Sequence, residues 1–156
     1  LGLAKEGLDA EEIAARVEAV RERVVVIGLL DTLEYLRRGG RISAAAGTFG
    51  EMLSIKPVIT IENGEVKMLG RARGSKNGRN LLNQQIKASR GIDFSMPLAL
   101  GYAGLSDALL QKYIRDSRAL WEEYPSDELP VYTVGATIGT HVGPGAIALA
   151  YFEREQ

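Results

Sequence analysis

Asn63-Gly64 constrains this chain more than any other pair of residues. Both central positions of a type I′ turn need positive φ, and Asn-Gly reaches it at little steric cost. The flanking runs, residues 56–62 (KPVITIE) and 65–73 (EVKMLGRAR), are rich in β-branched and apolar residues at alternate positions. A two-residue turn between them predicts a hairpin over 56–73 and fixes its register. Glu62 faces Glu65, Thr60 faces Lys67, Val58 faces Leu69 and Lys56 faces Arg71. Ile59, Ile61, Val66, Met68 and Ala72 then share the other face, which reads as the core face. Lys56 opposite Arg71, with Arg73 on the same side, brings like charges together, and a nearby anion would relieve them.

An antiparallel hairpin excludes an all-parallel sheet, yet the rest of the chain alternates between the two periodicities. Residues 1–6 read as a helix end stopped by Gly7, and Asp9 with Glu12 as the capping box of a helix carrying Ile13, Val17 and Val20 to about Arg23. Residues 24–30 (VVVIGLL) are apolar throughout, as in a strand covered on both sides. Asp31 and Glu34 repeat the cap signal for a short helix ended by Gly39. Ser43 starts another, with Ala45, Phe49, Met52 and Leu53 on one face and Gly47 and Gly50 weakening it by ~1 kcal/mol each. Ser75 caps a helix reaching Gly91, and 97–103 follows as a strand. Ser106 or Asp107 caps a long helix with Leu110, Tyr113, Ile114, Ser117 and Trp121 on one face. Residues 131–136 form a strand, 138–145 (IGTHVGPG) a glycine-rich loop and 146–152 a last strand. The expected fold is α+β, with mixed α/β layers: one domain over 1–156, its mixed, partly antiparallel sheet packed against helices.

Composition removes several classes of chemistry. The 156 residues contain no cysteine, so disulfides, thiol nucleophiles and thiolate metal sites are excluded, and a reducing compartment such as the cytoplasm is expected. A single histidine, His141, excludes multi-histidine metal centres within one chain. A formal net charge of −1 speaks against bulk nucleic-acid binding. No apolar run approaches the ~20 residues that span a bilayer, so no stable membrane insertion is expected. The opening LGLAKEGLDAEE lacks the apolar core of a signal peptide, and a chain that starts on leucine points to a longer parent. G-x-S-x-G, G-x-x-x-x-G-K-[ST] and G-x-G-x-x-G are all absent, and GRARGSK (70–76) imitates a phosphate loop with the wrong glycine spacing.

What remains is a small polar set: Arg41 after two glycines, Lys56, Arg71 and Arg73 on the hairpin, and Thr140-His141 among Gly139, Gly143 and Gly145. Glycines let backbone approach a ligand or another segment closely. His141 is either a structural side chain or a donor to a ligand. Arg41 either bonds the carbonyls of the preceding helix end or forks onto a carboxylate or phosphate. Arg71, Arg73 and Lys56 are either a solvated face or an anion contact. Phe49 and Trp121, at helical spacing among aliphatics, suit a core.

Taken in order, DTLEYLRRGGRIS (31–43), LSIKPVITIENGEV (53–66), RARGSK (71–76) and IGTHVGPGAIAL (138–149) closely resemble the DegV family. The resemblance covers nearly the whole chain but only the C-terminal half of a typical member, whose N-terminal α/β domain is absent here. It implies a carrier that holds a long-chain fatty acid in a tunnel between two domains. It also implies a partner, the ATP-binding subunit of a fatty acid kinase, which phosphorylates the bound carboxyl group. On that resemblance His141 lies by the carboxyl group, with Thr140, Arg41, Gly143 and Phe49 as further ligand-binding candidates. Arg73, Arg71 and Lys56 become candidates for the kinase or phosphate contact. No catalytic residue, metal or cofactor is implied. An acyl tail needs an apolar wall, each buried methylene contributing ~0.8 kcal/mol, while the carboxylate needs donors at one end. Exposed apolar surface near Phe49 and His141 is therefore expected where the absent domain docks. Two other readings stand beside this one: an enzyme acting on a small carbonyl compound through His141, as in the dihydroxyacetone-kinase-like relatives, and a structural interaction domain.

Overall fold

A computed structural model describes residues 2–42 and 55–155. The Asn63-Gly64 turn forms as expected, with φ of 52° and 79° at its two central residues. It joins β2 (Ile55–Glu62) to β3 (Glu65–Arg73). The strands β1 (Val24–Leu29), β4 (Ala99–Tyr102), β5 (Val131–Thr133) and β6 (Ile147–Phe152) complete the sheet among the described residues. Its order is β3-β2-β1-β6-β4-β5. Every neighbouring pair is antiparallel except β4 with β5, so the sheet is mixed and the class is the α+β one expected.

Six α-helices accompany the sheet among the described residues: α1 (Gly2–Lys5), α2 (Ala10–Val20), α3 (Glu34–Arg38), α4 (Gly74–Ala88), α5 (Ala108–Asp116) and α6 (Ala136–Val142). The α2 capping box is present: Asp9 Oδ1 accepts from the backbone of Glu11 and Glu12, and the Asp9 N–H donates to Glu12, all at 2.9 Å. No helix among the described residues is long and apolar enough to cross a membrane.

Alternation along the strands sorts the apolar side chains onto two faces. On one, Ile27, Leu29, Val58, Leu100, Ile147, Leu149 and Tyr151 pack under α4 (Leu82, Ile86) and α5 (Leu110, Tyr113), with Trp121 beside them. On the other, Ile59 joins Leu30, Leu36 of α3, Ala103 and Ala146, with Val142 of α6 against them. This second cluster covers only one end of the sheet. Beyond it Val24 and Val26 are exposed, paired across to Phe152 and Ala150. Residues 24–30 are thus covered on both sides only from Ile27 onward.

The hairpin register holds from the turn to Ile59↔Met68 and then changes. A β-bulge leaves Leu69 as the extra residue, so Val58 pairs with Gly70, Pro57 with Arg71 and Lys56 with Ala72. Lys56 and Arg71 are not opposed, and the like-charge conflict does not arise. Nor is the expected core face the main one: Val58 is fully buried under α4, whereas Ile61 is 44% exposed. Three further expectations change. Asp31 does not cap α3; the Thr32 hydroxyl accepts from the Glu34 N–H at 3.2 Å. The helix after Asp107 stops at Asp116, and Arg118–Leu120 continue as a 3₁₀ turn that delivers Trp121 to the core. The N-cap of α4 is Arg73, not Ser75. The helix expected from Ser43, with Phe49 on it, lies outside the described residues.

Candidate functional site

Strand pairing gathers the polar set at one end of the sheet. Leu29 pairs with Val58 and with Ile147, and Ile55 with Arg73. The end of β1, the start of β2, the end of β3 and the start of β6 therefore lie together. From that end β1 leads into α3, and α6 leads into β6.

His141 does not lie in a loop. It is on α6, a helix that forms although Gly139 lies within it. Packing against α3 outweighs the low intrinsic propensity. Each helix presents a glycine to an aromatic ring of the other. A β-carbon on Gly39 would lie 2.8 Å from Cε1 of His141 and closer still to Nδ1. A β-carbon on Gly143 would lie 2.6 Å from Cε2 of Tyr35. Gly143 also has φ +77°, a conformation other residues adopt only with strain. His141 is half-buried, and its Nδ1 is sealed with no hydrogen-bond partner among the described residues.

The remaining candidates occupy defined places. Arg41 is exposed, and its guanidinium donates to the Gly39 carbonyl at 3.1 Å. It closes the end of α3, where the Gly40 and Arg41 N–H groups also bond Arg37 and Leu36 carbonyls at 3.0 and 2.9 Å. Thr140 is exposed and donates its hydroxyl proton to the Thr137 carbonyl at 3.0 Å. Lys56 pairs with the Asp31 carboxylate and also donates to its carbonyl at 3.3 Å. Arg71 is exposed and directs Nε at Met68 Sδ, 3.0 Å away. Arg73 is exposed at the junction of β3 and α4. Phe49 lies outside the described residues.

The ensemble offers donors and positive charge at the end of an apolar sheet face, which suits an anionic head group on an apolar body. Ile138, one turn before His141 on α6, is 58% exposed. No cluster of three or more potential metal ligands occurs among the described residues. A separate cleft of about 810 Å³ opens at the opposite end of the sheet, lined by Val25, Thr60, Gln85 and Tyr151. Sequence reasoning overlooked Gly39, Tyr35 and Asp31. The doubled glycine before Arg41 is the available signal, but Gly39 reads there as a helix stop, not as a socket for a distant ring.

The family model that matches residues 2–154 is that of the DegV family, described as uncharacterised. A DegV domain-containing protein of Caldanaerobacter subterraneus is 33% identical over 153 residues, covering 97% of this chain and 53% of that protein. A Thermus thermophilus DegV family structure, named for its fatty acid binding, superposes with a TM-score of 0.78 at 30% identity, over 98% of this chain and 54% of that one. The Streptococcus pneumoniae fatty acid kinase B3 protein, loaded with linoleic acid, shares the fold with a TM-score of 0.80 at 21% identity, over 98% and 53%. The chain spans about half the length of these relatives. With the family model matched from Gly2 to Arg154 and the ordered motifs in place, the chain belongs to the DegV family.

Proposed function

We propose that this chain is one half of a carrier for a long-chain fatty acid. The acid lies between this domain and an N-terminal domain outside the chain. Its carboxyl group is presented at His141 to an ATP-binding fatty acid kinase subunit for phosphorylation. The chain acts in the cytoplasm, takes no cofactor and supplies no catalytic residue.

One observation carries this reading. The sole histidine is half-buried, not sealed, and sits on α6, which with α3 packs over one end of the sheet face that carries Val24, Val26, Gly28, Ala148 and Ala150. Six residues of β1 extend about 20 Å, room for an extended acyl chain along small side chains. A carboxylate at the His141 end finds a donor there, and the tail meets an apolar wall. The fatty acid named for the Thermus relative supports the ligand, and the pneumococcal kinase protein supports the partner. Arg73 and Arg71, exposed at the same end, suit contact with the kinase or the new phosphate. The enzyme alternative has less behind it: no carboxylate among the described residues bonds His141 Nδ1 to orient the ring as base or nucleophile.

Mass spectrometry of lipid extracted from the longer purified protein tests the carrier, and calorimetric titration with palmitate or oleate tests the division of labour. Co-purified fatty acid, with weak binding by this chain alone, is the expected pair of results. A lipid-free longer protein that ignores both acids overturns the carrier. Equal affinity for the isolated chain overturns the two-domain tunnel.

A further inference from the structure

The reciprocal glycine sockets between α3 and α6 carry a consequence for the chemistry of His141. A neutral imidazole has one protonated and one bare nitrogen, and its surroundings choose between them. Here Nδ1 is sealed against Gly39 without a hydrogen-bond partner among the described residues. A buried N–H left without an acceptor is rarer in proteins than an under-satisfied acceptor. The sealed nitrogen is therefore the bare one.

We infer that Gly39, together with the Tyr35–Gly143 contact, is a positioning device that holds His141 in its Nε2–H tautomer, so that the ring offers a hydrogen-bond donor to a ligand. The inference rests on the carrier reading for the identity of that ligand, a carboxylate, but the tautomer itself does not. Gly39 leaves the room in which Nδ1 is seated and sealed, because any side chain there would occupy the space of the ring. Tyr35 on Gly143 fixes the distance between the two helices. Neither residue touches the ligand; both act through the imidazole. The other tautomer, with the proton on the sealed Nδ1, would present a bare Nε2 to a carboxylate, lone pair to lone pair.

Long-range ¹H–¹⁵N spectra of ¹⁵N-histidine-labelled protein test this directly, because His141 is the only histidine in the chain. Its signals are assigned in any longer form by their loss in His141→Gln. Without ligand, the spectrum is expected to show a protonated Nε2 and a bare Nδ1. Gly39→Ala should shift or broaden both ring signals. Tyr35→Ala should do the same, and Tyr35→Phe, which keeps the ring on Gly143, should restore the wild-type pattern. Should Gly39→Ala not fold, the wild-type tautomer and the Tyr35 pair decide. A protonated Nδ1 in the wild type overturns the inference, as do unchanged ring signals in Tyr35→Ala. An Nε2–H tautomer in protein that ignores palmitate fails the carrier and keeps the device; tight palmitate binding with an Nδ1–H tautomer does the reverse.

Discussion

The ammonium group of Lys56 binds both the carboxylate and, at 3.3 Å, the backbone carbonyl of Asp31. The pair ties the start of β2 to the chain leaving β1, beneath the turn that follows α6: a β-carbon on Gly145 would lie 3.6 Å from that of Asp31. The Lys56 side chain is only 16% exposed, whereas Asp31 is 54% exposed. Lys56→Met should therefore cost about 1 kcal/mol in urea denaturation. In an Asp31→Ala background most of that loss should vanish. Equal losses in both backgrounds would mean that the ion pair contributes nothing.

A second ion pair makes stability depend on acid. The Ser95 hydroxyl donates to Asp93 at 2.6 Å and the Ser95 N–H at 3.0 Å, and Arg23 pairs with its other oxygen. The Ser95 contacts and the guanidinium hold the Asp93 carboxyl below the usual carboxylate range, against an opposing effect of burial. A folded pKa below the unfolded one adds stability above the unfolded value, lost as pH falls through the folded value. The stability gap between wild type and Asp93→Asn should thus be widest near neutral pH. It should close below about pH 4, as followed by denaturation across pH 2 to 7. A gap that widens in acid would contradict the assignment.

Beneath α4 and α5 lies a small polar relay. The Tyr113 hydroxyl donates at 2.7 Å to Asn83 Oδ1, and Asn83 Nδ2 donates at 2.7 Å to Ser117 Oγ. Tyr113 is fully buried, and burial pushes its phenol pKa well up. Tyr113→Phe keeps the ring edge-on to Trp121, 6.0 Å between centroids, but leaves Asn83 Oδ1 short of a donor. The expected cost is about 1–2 kcal/mol by chemical denaturation. A neutral substitution would show that water replaces the phenol.

Val26→Glu probes the acyl wall of the proposed carrier. Val26 is 37% exposed, so the substitution should leave the fold intact by circular dichroism. A carboxylate facing the tail should lower palmitate affinity of the longer protein by about tenfold or more. Unchanged affinity would move the tail to another face.

The parts of the fold written in local chemistry were legible. Asn63-Gly64 announced its turn, and Asp9 with Glu12 its capping box. The bulge at Leu69 was not legible, because an inserted residue leaves the alternating pattern plausible in either register. Nor was α6: glycine at 139, 143 and 145 reads as loop, and residues 136–142 form a helix packed against α3 and the end of the sheet. At the site, the structural role of Arg41 on the helix-end carbonyl was one of its two readings. Lys56 stays open in the sequence between a solvated face and an anion contact, because its partner Asp31 lies 25 positions away, where spacing carries no information.

The neighbours at the middle of the sheet, β1 and β6, come from opposite ends of the sequence: Val24 lies against Phe152 and Leu29 against Ile147. Closing so long a loop is entropically slow and is rewarded only when both strands are available. During synthesis β6 leaves the ribosome after the other five strands described. Until then the nascent chain can hold its hairpin but not its central seam, and newly made Ile27 and Leu29 wait uncovered. The sheet is thus completed only once residues 147–152 have emerged, and a ribosome stalled before residue 147 should display a protease-sensitive chain.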